Sequence, residues 1–160
     1  RIPPNLRRIF NAGHIVHEIL QRPFEELDSM IIEGLVLDED YRIKGHSDLI
    51  GEVSIGEIKS ARHSAYSRYI DSPKEEHIKQ ASLYAEHYKR ESIEILYFNK
   101  NTGGVCSHVL PTDMEKVTEI KEFASEVTES FDKKEIPDRI PYVKSTCGNC
   151  PYEKVCQPKK

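Results

Sequence analysis

Two short runs carry the residues best suited to chemistry: Gly45-His46-Ser47-Asp48 and, nine residues beyond Asp48, Glu57-Ile58-Lys59. Side chains alternate faces along a strand, so Glu57 and Lys59 share one side while Ile58 points to the other, into the core. If the two runs pair as strands through a short turn near Gly51, Asp48 joins them and forms an acidic pocket with one lysine. Two carboxylates with a histidine or backbone carbonyl and several waters make the ligand set of Mg2+ or Mn2+, hard cations that prefer oxygen. An ion so held lowers the pKa of a bound water and stabilises charge developing on a phosphoryl group, and Lys59 would orient that water or neutralise the transition state. Read alone, Glu-x-Lys also fits a plain ion pair on a half-exposed sheet.

The elements around these runs supply further candidates. Pro3-Pro4-Asn5 can open a helix on which Leu6, Phe10, Gly13, His17 and Leu20 recur on one side, placing His17 on or beside its inward face. Residues 31–59 read as two or three antiparallel strands joined by tight turns. Ser72, Pro73 and Glu75 have the form of a capping box, which predicts a helix from there to about Lys89. On it His77, Gln80, Tyr84 and Tyr88 fall on one face beside Ile78, Ala81 and Ala85, aimed toward the sheet. Strands follow over 92–99 and 104–110, with Lys100-Asn101-Thr102-Gly103 as the turn between them. Thr112-Asp113-Met114-Glu115 predicts another capped helix with Met114, Val117, Ile120, Phe123, Val127 and Phe131 on one stripe, ended by Pro137 and Pro141. This order predicts an α/β fold, a mixed sheet flanked by helices.

With 160 residues, 38% of them hydrophobic and 31% charged, the chain suits one domain of ordinary size and excludes two large ones. Its longest apolar stretch, Met30–Leu37, is interrupted by Glu33 and Gly34, too short for the roughly 20 residues of a membrane span, so a soluble protein with no membrane partner is expected. The net charge of -4 argues against a generic coat for nucleic acid. Nine acids and four lysines lie between residues 113 and 138, however, and the rest of the chain holds 18 acids and 19 bases, which leaves room for a local basic groove. Cys147, Cys150 and Cys156 crowd into ten residues, the pattern of a metal-holding cluster in a reducing, cytoplasmic setting rather than a disulfide scaffold.

In order, Gly13 to His17, Gly45 to Asp48, Glu57-Ile58-Lys59, Gln80 to Tyr84, and Cys147, Cys150 and Cys156 make five motifs that span residues 13–156. Together they resemble the RecB-like branch of the PD-(D/E)XK nucleases, close to the CRISPR-associated RecB-type exonucleases that carry an iron-sulfur cluster. The resemblance implies a restriction-endonuclease-like core over residues 1–140 and a cysteine-rich tail over 141–160 packed on it. It implies that His17, Asp48, Glu57 and the carbonyl of Ile58 bind Mg2+ or Mn2+, that Lys59 serves the hydrolytic water, and that Gln80 and Tyr84 place the DNA strand or organise the site. The reaction implied is hydrolysis of DNA phosphodiesters, as an exonuclease or single-strand endonuclease. The processes implied are CRISPR adaptation, recombination and repair, or viral DNA processing, with CRISPR integrase or recombination proteins as partners. In such proteins the cysteines share a [4Fe-4S] cluster with a fourth cysteine upstream of the histidine motif. Here no cysteine precedes His17. Either that ligand lies upstream of Arg1, or zinc, an incomplete cluster or nothing takes its place.

Ile58 to Ile70 contains Lys59, Arg62, Arg68, His63, Tyr66 and Tyr69 and no acid. Cations interleaved with aromatics suit DNA that is single-stranded or has free ends, so Arg62, Arg68 and Tyr66 are expected to touch it, from a loop over the metals. A solvated basic loop is the plainer reading. A non-catalytic DNA-binding or assembly subunit on the same fold is the alternative to an enzyme.

Overall fold

The computed structural model describes residues 4–136, 139, 141–148 and 150–156; Pro3 and Pro137, expected at helix ends, lie outside them. The elements are α1 (Pro4–Gln21), a 3-10 turn (Arg22–Phe24), β1 (Ile31–Asp38), β2 (Ile43–Ile50), β3 (Ser54–Ala61), α2 (His63–Tyr69), α3 (Glu75–His87), β4 (Ser92–Asn99), β5 (Val105–Pro111), α4 (Met114–Lys133), and the single turns α5 (Lys144–Cys147) and α6 (Glu153–Cys156). One five-stranded sheet has the order β1-β2-β3-β4-β5. All neighbours are antiparallel except β3 and β4, which run parallel. A parallel pair needs a long crossover, and α2 and α3 supply it. The sheet is therefore mixed, with helices against it, a restriction-endonuclease-like α/β arrangement.

The core lies between the sheet and α3. Ile93, Ile95, Tyr97 and Asn99 alternate with less buried residues along β4 and turn one face to the helix, which meets them with Ala81 and Ala85. Those two small residues let the helix axis come close to the strands. The first turns of α4 add Val117 to the same cluster, and ion pairs Lys79–Glu119 (2.6 Å) and Lys121–Glu86 (3.1 Å) flank α3 and α4. The chain divides into two compact units, Arg1–Ala124 and Ser125–Lys160. The sheet lies in the first and Cys147, Cys150 and Cys156 in the second. Among the described residues no helix is long and apolar enough to cross a membrane.

Four local expectations are corrected. The basic segment after β3 is helical, not a loop, because Tyr66 is drawn into the core and coils the chain around it. The helix α3 begins at Glu75 with Lys74 as its cap residue. The hydroxyl of Tyr97 accepts the Lys74 N–H (3.0 Å), while the Ser72 hydroxyl merely donates to the Pro73 carbonyl (3.4 Å). At α4 the cap is Asp113, whose Oδ1 accepts the Lys116 N–H (3.1 Å); Thr112 instead donates to the Arg90 carbonyl (2.8 Å). The expected stripe on α4 also splits: Val117 and Ile120 face the core but Met114 and Phe123 are exposed. Successive steps of three residues each fall about 60° short of a full turn, which carries Phe123 off the face.

Two glycines have opposite roles. A Cβ at Gly45 would stand 2.4 Å from the Tyr84 hydroxyl, whereas one at Gly13 would meet nothing within 4 Å. Gly45→Ala is therefore expected to cost about 1–3 kcal/mol through overpacking. Gly13→Ala, in a helix interior, should be neutral or up to about 1 kcal/mol stabilising. Thermal unfolding of the two variants checks this, and equal midpoints would contradict the packing of Tyr84 on β2.

Candidate active site

The site forms where the backbone ladder between β2 and β3 ends. Pairing holds at Ile50↔Ile55 and Leu49↔Gly56 and stops there. One further step would set Asp48 against Glu57; instead the Ile58 N–H donates to Asp48 Oδ2 at 2.6 Å. A side-chain carboxylate thus takes the place of a strand carbonyl, and both acids sit at the opening, Asp48 6% and Glu57 2% exposed.

Each acid is held differently. Asp48 Oδ1 accepts a hydrogen bond from His17 Nδ1 of α1 at 3.1 Å, which leaves the other ring nitrogen as a potential ligand. That bond to Asp48 chiefly raises the His17 pKa, against the opposing effect of burial. Glu57 Oε1 accepts from Lys59 Nζ at 2.5 Å, while Glu57 Oε2 is buried with no hydrogen-bond partner among the described residues. Burial, and then the neighbouring Asp48 charge, push the Glu57 pKa up to about 7, although Lys59 pulls the other way. An orphaned buried oxygen beside a second carboxylate is a costly arrangement that a bound cation relieves.

Lys59 is fixed from α3. Its ammonium donates to Gln80 Oε1 (3.0 Å), and Gln80 Nε2 donates to the Tyr84 hydroxyl (3.2 Å), which lies over Gly45 of β2. The other polar groups of that helix face also meet the sheet: Tyr97 donates to His77 Nδ1 (2.9 Å) and Tyr88 to the Leu35 carbonyl (2.6 Å). Burial, followed by the charges of Lys59 and Lys74, lowers the His77 pKa to about 4, so this imidazole is neutral at physiological pH.

Two further residues belong to the site. Ile32↔Leu49 and Gly34↔Ser47 are paired on either side, so Glu33 stands opposite Asp48, with its backbone at φ 53°. Ligand atoms of His17, Glu33 and Asp48 lie within 4.8 Å of one another, close enough to share a cation; Glu57 is not in that set, so the expected trio of His17, Asp48 and Glu57 is not drawn together to that distance. Gln21, the buried last residue of α1, donates to Glu33 Oε1 (2.8 Å) and to the Asp48 carbonyl (3.2 Å). In the sequence Glu33 reads only as a break in an apolar run; a lone charge at that place was the available signal. His17, Glu33 and Asp48 border a cavity of about 420 Å3, lined also by Phe10, Ser60 and Lys100.

The remaining candidates fall elsewhere. Arg62 and Arg68 are exposed at either end of α2. Tyr66 is buried in the core, which corrects its expected contact with DNA: it has no ring face to offer a base. In the second unit Cys147 is buried and its sulfur accepts the Val143 N–H at 3.5 Å, while Cys150 and Cys156 are half-buried. None of the three forms a disulfide. Among the described residues the set of three or more potential ligands gathered within 4.8 Å is that of His17, so the three sulfurs are not drawn together to that distance.

No curated protein matches the chain. Among solved structures, that of SSO0001 is similar with a TM-score of 0.65 and 18% identity, covering 91% of this chain and 69% of the other. An alkaline exonuclease from Laribacter hongkongensis follows at 0.64 and 17%, covering 84% and 72%; its complex with dAMP gives 0.64 and 16%, covering 78% and 68%. At these identities the likeness is one of fold. A family model for the PD-(D/E)XK nuclease superfamily matches residues 18–157, nearly the whole chain, and the chain therefore belongs to that nuclease superfamily.

Proposed function

We propose that the protein hydrolyses phosphodiester bonds of DNA, single-stranded or with free ends, with Mg2+ or Mn2+ held by His17, Asp48, Glu57 and the carbonyl of Ile58, and with Glu33 within reach. The observation that carries this is Glu57 Oε2, a buried carboxylate oxygen without a partner beside a second buried carboxylate. When bound, such an ion lowers the pKa of a water and offsets charge on the phosphoryl oxygens. The chain's own part is to orient. His17 and the Ile58 N–H fix the two oxygens of Asp48, and Glu57 with Gln80 fixes the Lys59 ammonium. That ammonium has three N–H bonds, so one remains for the attacking water or a phosphate oxygen. Gln80 and Tyr84 are positioning residues for Lys59.

The fold shared with an alkaline exonuclease supports action from DNA ends; CRISPR adaptation, recombination and repair, or viral DNA processing are the settings such an activity would serve. Cys147, Cys150 and Cys156 take no part in this chemistry. They are read as ligands of a [4Fe-4S] cluster or zinc in a tail module, which metal analysis of anaerobically purified protein separates by colour and stoichiometry.

End-labelled single- and double-stranded DNA, with and without Mn2+, tests the reading. Asp48→Ala and Glu57→Ala should each abolish metal-dependent cleavage, with thermal unfolding as the control because Asp48 also accepts the Ile58 N–H. Cleavage unchanged in both variants would contradict it, and DNA binding without turnover by the wild-type protein would favour the non-catalytic subunit.

A pH dependence follows from Glu57. Its folded pKa of about 7 exceeds its ordinary value of 4.5, so the stability it contributes is full below about 4.5 and is lost as pH rises through 7. His17, also raised, acts in the same direction above 6.5. In EDTA, wild-type protein should lose thermal stability between pH 5 and 8 relative to Glu57→Gln, and Mn2+ should restore it most at pH 8. A difference between the two that does not change with pH would refute the assignment.

A further inference from the structure

A second cavity, of about 350 Å3, adjoins the first and shares Ser60 and Lys100 with it. Its walls include Lys59, Arg62, Ser64 and His77, and no acid lines it. Lys59 is engaged by Glu57 and Gln80, but Arg62 and Lys100 make no ion pair with any described residue. Two cations without carboxylate partners thus border a pocket that opens beside the acids of the candidate active site.

Their proximity is built into the fold. Lys100 opens the β4–β5 turn, and its N–H donates to the Ala61 carbonyl at 2.9 Å. Asn99, before it, is buried and donates through Nδ2 to His63 Nδ1 at 3.1 Å. Asn101, after it, accepts the His63 N–H at 2.9 Å. His63 in turn follows Arg62 directly. The residues flanking Lys100 are therefore clamped to the residue that follows Arg62, which holds the backbone of both cationic residues at one rim.

We infer that Arg62 and Lys100 form a subsite for one phosphate group of the nucleic-acid strand, next to the phosphate placed at His17, Asp48 and Glu57. The inference rests on the nuclease reading for its substrate, but its chemistry is that of a phosphate anion between two cations brought to one rim by the fold. That anion is either a terminal phosphomonoester or an internal phosphodiester.

Anisotropy of an internally labelled short single-stranded oligonucleotide, measured in EDTA so that metal-dependent cleavage does not intervene, separates the possibilities. Arg62→Ala and Lys100→Ala should each weaken binding roughly tenfold and lower the slope of log K against log salt by about 0.7–1. Lys89→Gln, which removes one exposed charge elsewhere, should change neither by that much. A loss confined to oligonucleotides with a 5′- or 3′-phosphate assigns a terminal phosphate, and a loss independent of the end group assigns an internal one. Binding by both alanine variants equal to that of Lys89→Gln overturns the subsite. Arg62- and Lys100-dependent binding by a protein that cleaves nothing would sustain the subsite and refute the nuclease reading alone.

Discussion

The Asp48 carboxylate stands at the point where β2 and β3 stop exchanging backbone hydrogen bonds, and both of its oxygens are committed: one to the Ile58 N–H, the other to His17. Its own carbonyl accepts from Gln21. Three segments remote in sequence, the end of α1, β2 and the middle of β3, are tied through this one residue. Where the strands part, Glu57 is buried beside Asp48 with its Oε2 left without a partner among the described residues. Burial of two adjacent carboxylates is unfavourable in itself, and the raised Glu57 pKa is its electrostatic signature. A site that binds a cation strongly is a site that is strained without one.

Opposite Asp48, the chain from Lys59 through Gln80 to Tyr84 makes α3 part of the machinery. A helix that packs on the sheet through Ala81 and Ala85 approaches closely enough for these side chains to reach. Gly45 is the counterpart on β2, since any side chain there would displace the Tyr84 hydroxyl. Packing of α3 and placement of the lysine are one event, so a change in the helix face is felt at the ammonium.

Much of this was legible in the residues. Alternation along β3 put Glu57 and Lys59 together, a turn near Gly51 brought in Asp48, and helical period put Gln80 and Tyr84 on the inward face. Glu33 was not legible, because its place depends on strand register with Asp48 and on a backbone at positive φ. Lys100 was hidden for a related reason: it reads as a turn residue, and only contacts across more than 35 positions set it beside Arg62. The helix α2 escaped notice because seven residues without a capping side chain carry little local signal, and burial of Tyr66 supplies what propensity does not. The start of α3 was misplaced by two residues because the Ser72 hydroxyl turns to the Pro73 carbonyl, and the chain is held instead at Lys74, whose N–H donates to Tyr97 of β4.

The central claim is that the acids at the end of the β2–β3 ladder hold a divalent cation through the oxygen of Glu57 that the protein leaves unpaired. Anomalous diffraction from crystals grown with Mn2+ measures this directly. The account predicts a Mn2+ peak bounded by His17, Asp48 and Glu57, with Glu57 Oε2 as a ligand. Well-ordered Mn2+ elsewhere, with Glu57 Oε2 satisfied by a protein group, would contradict it.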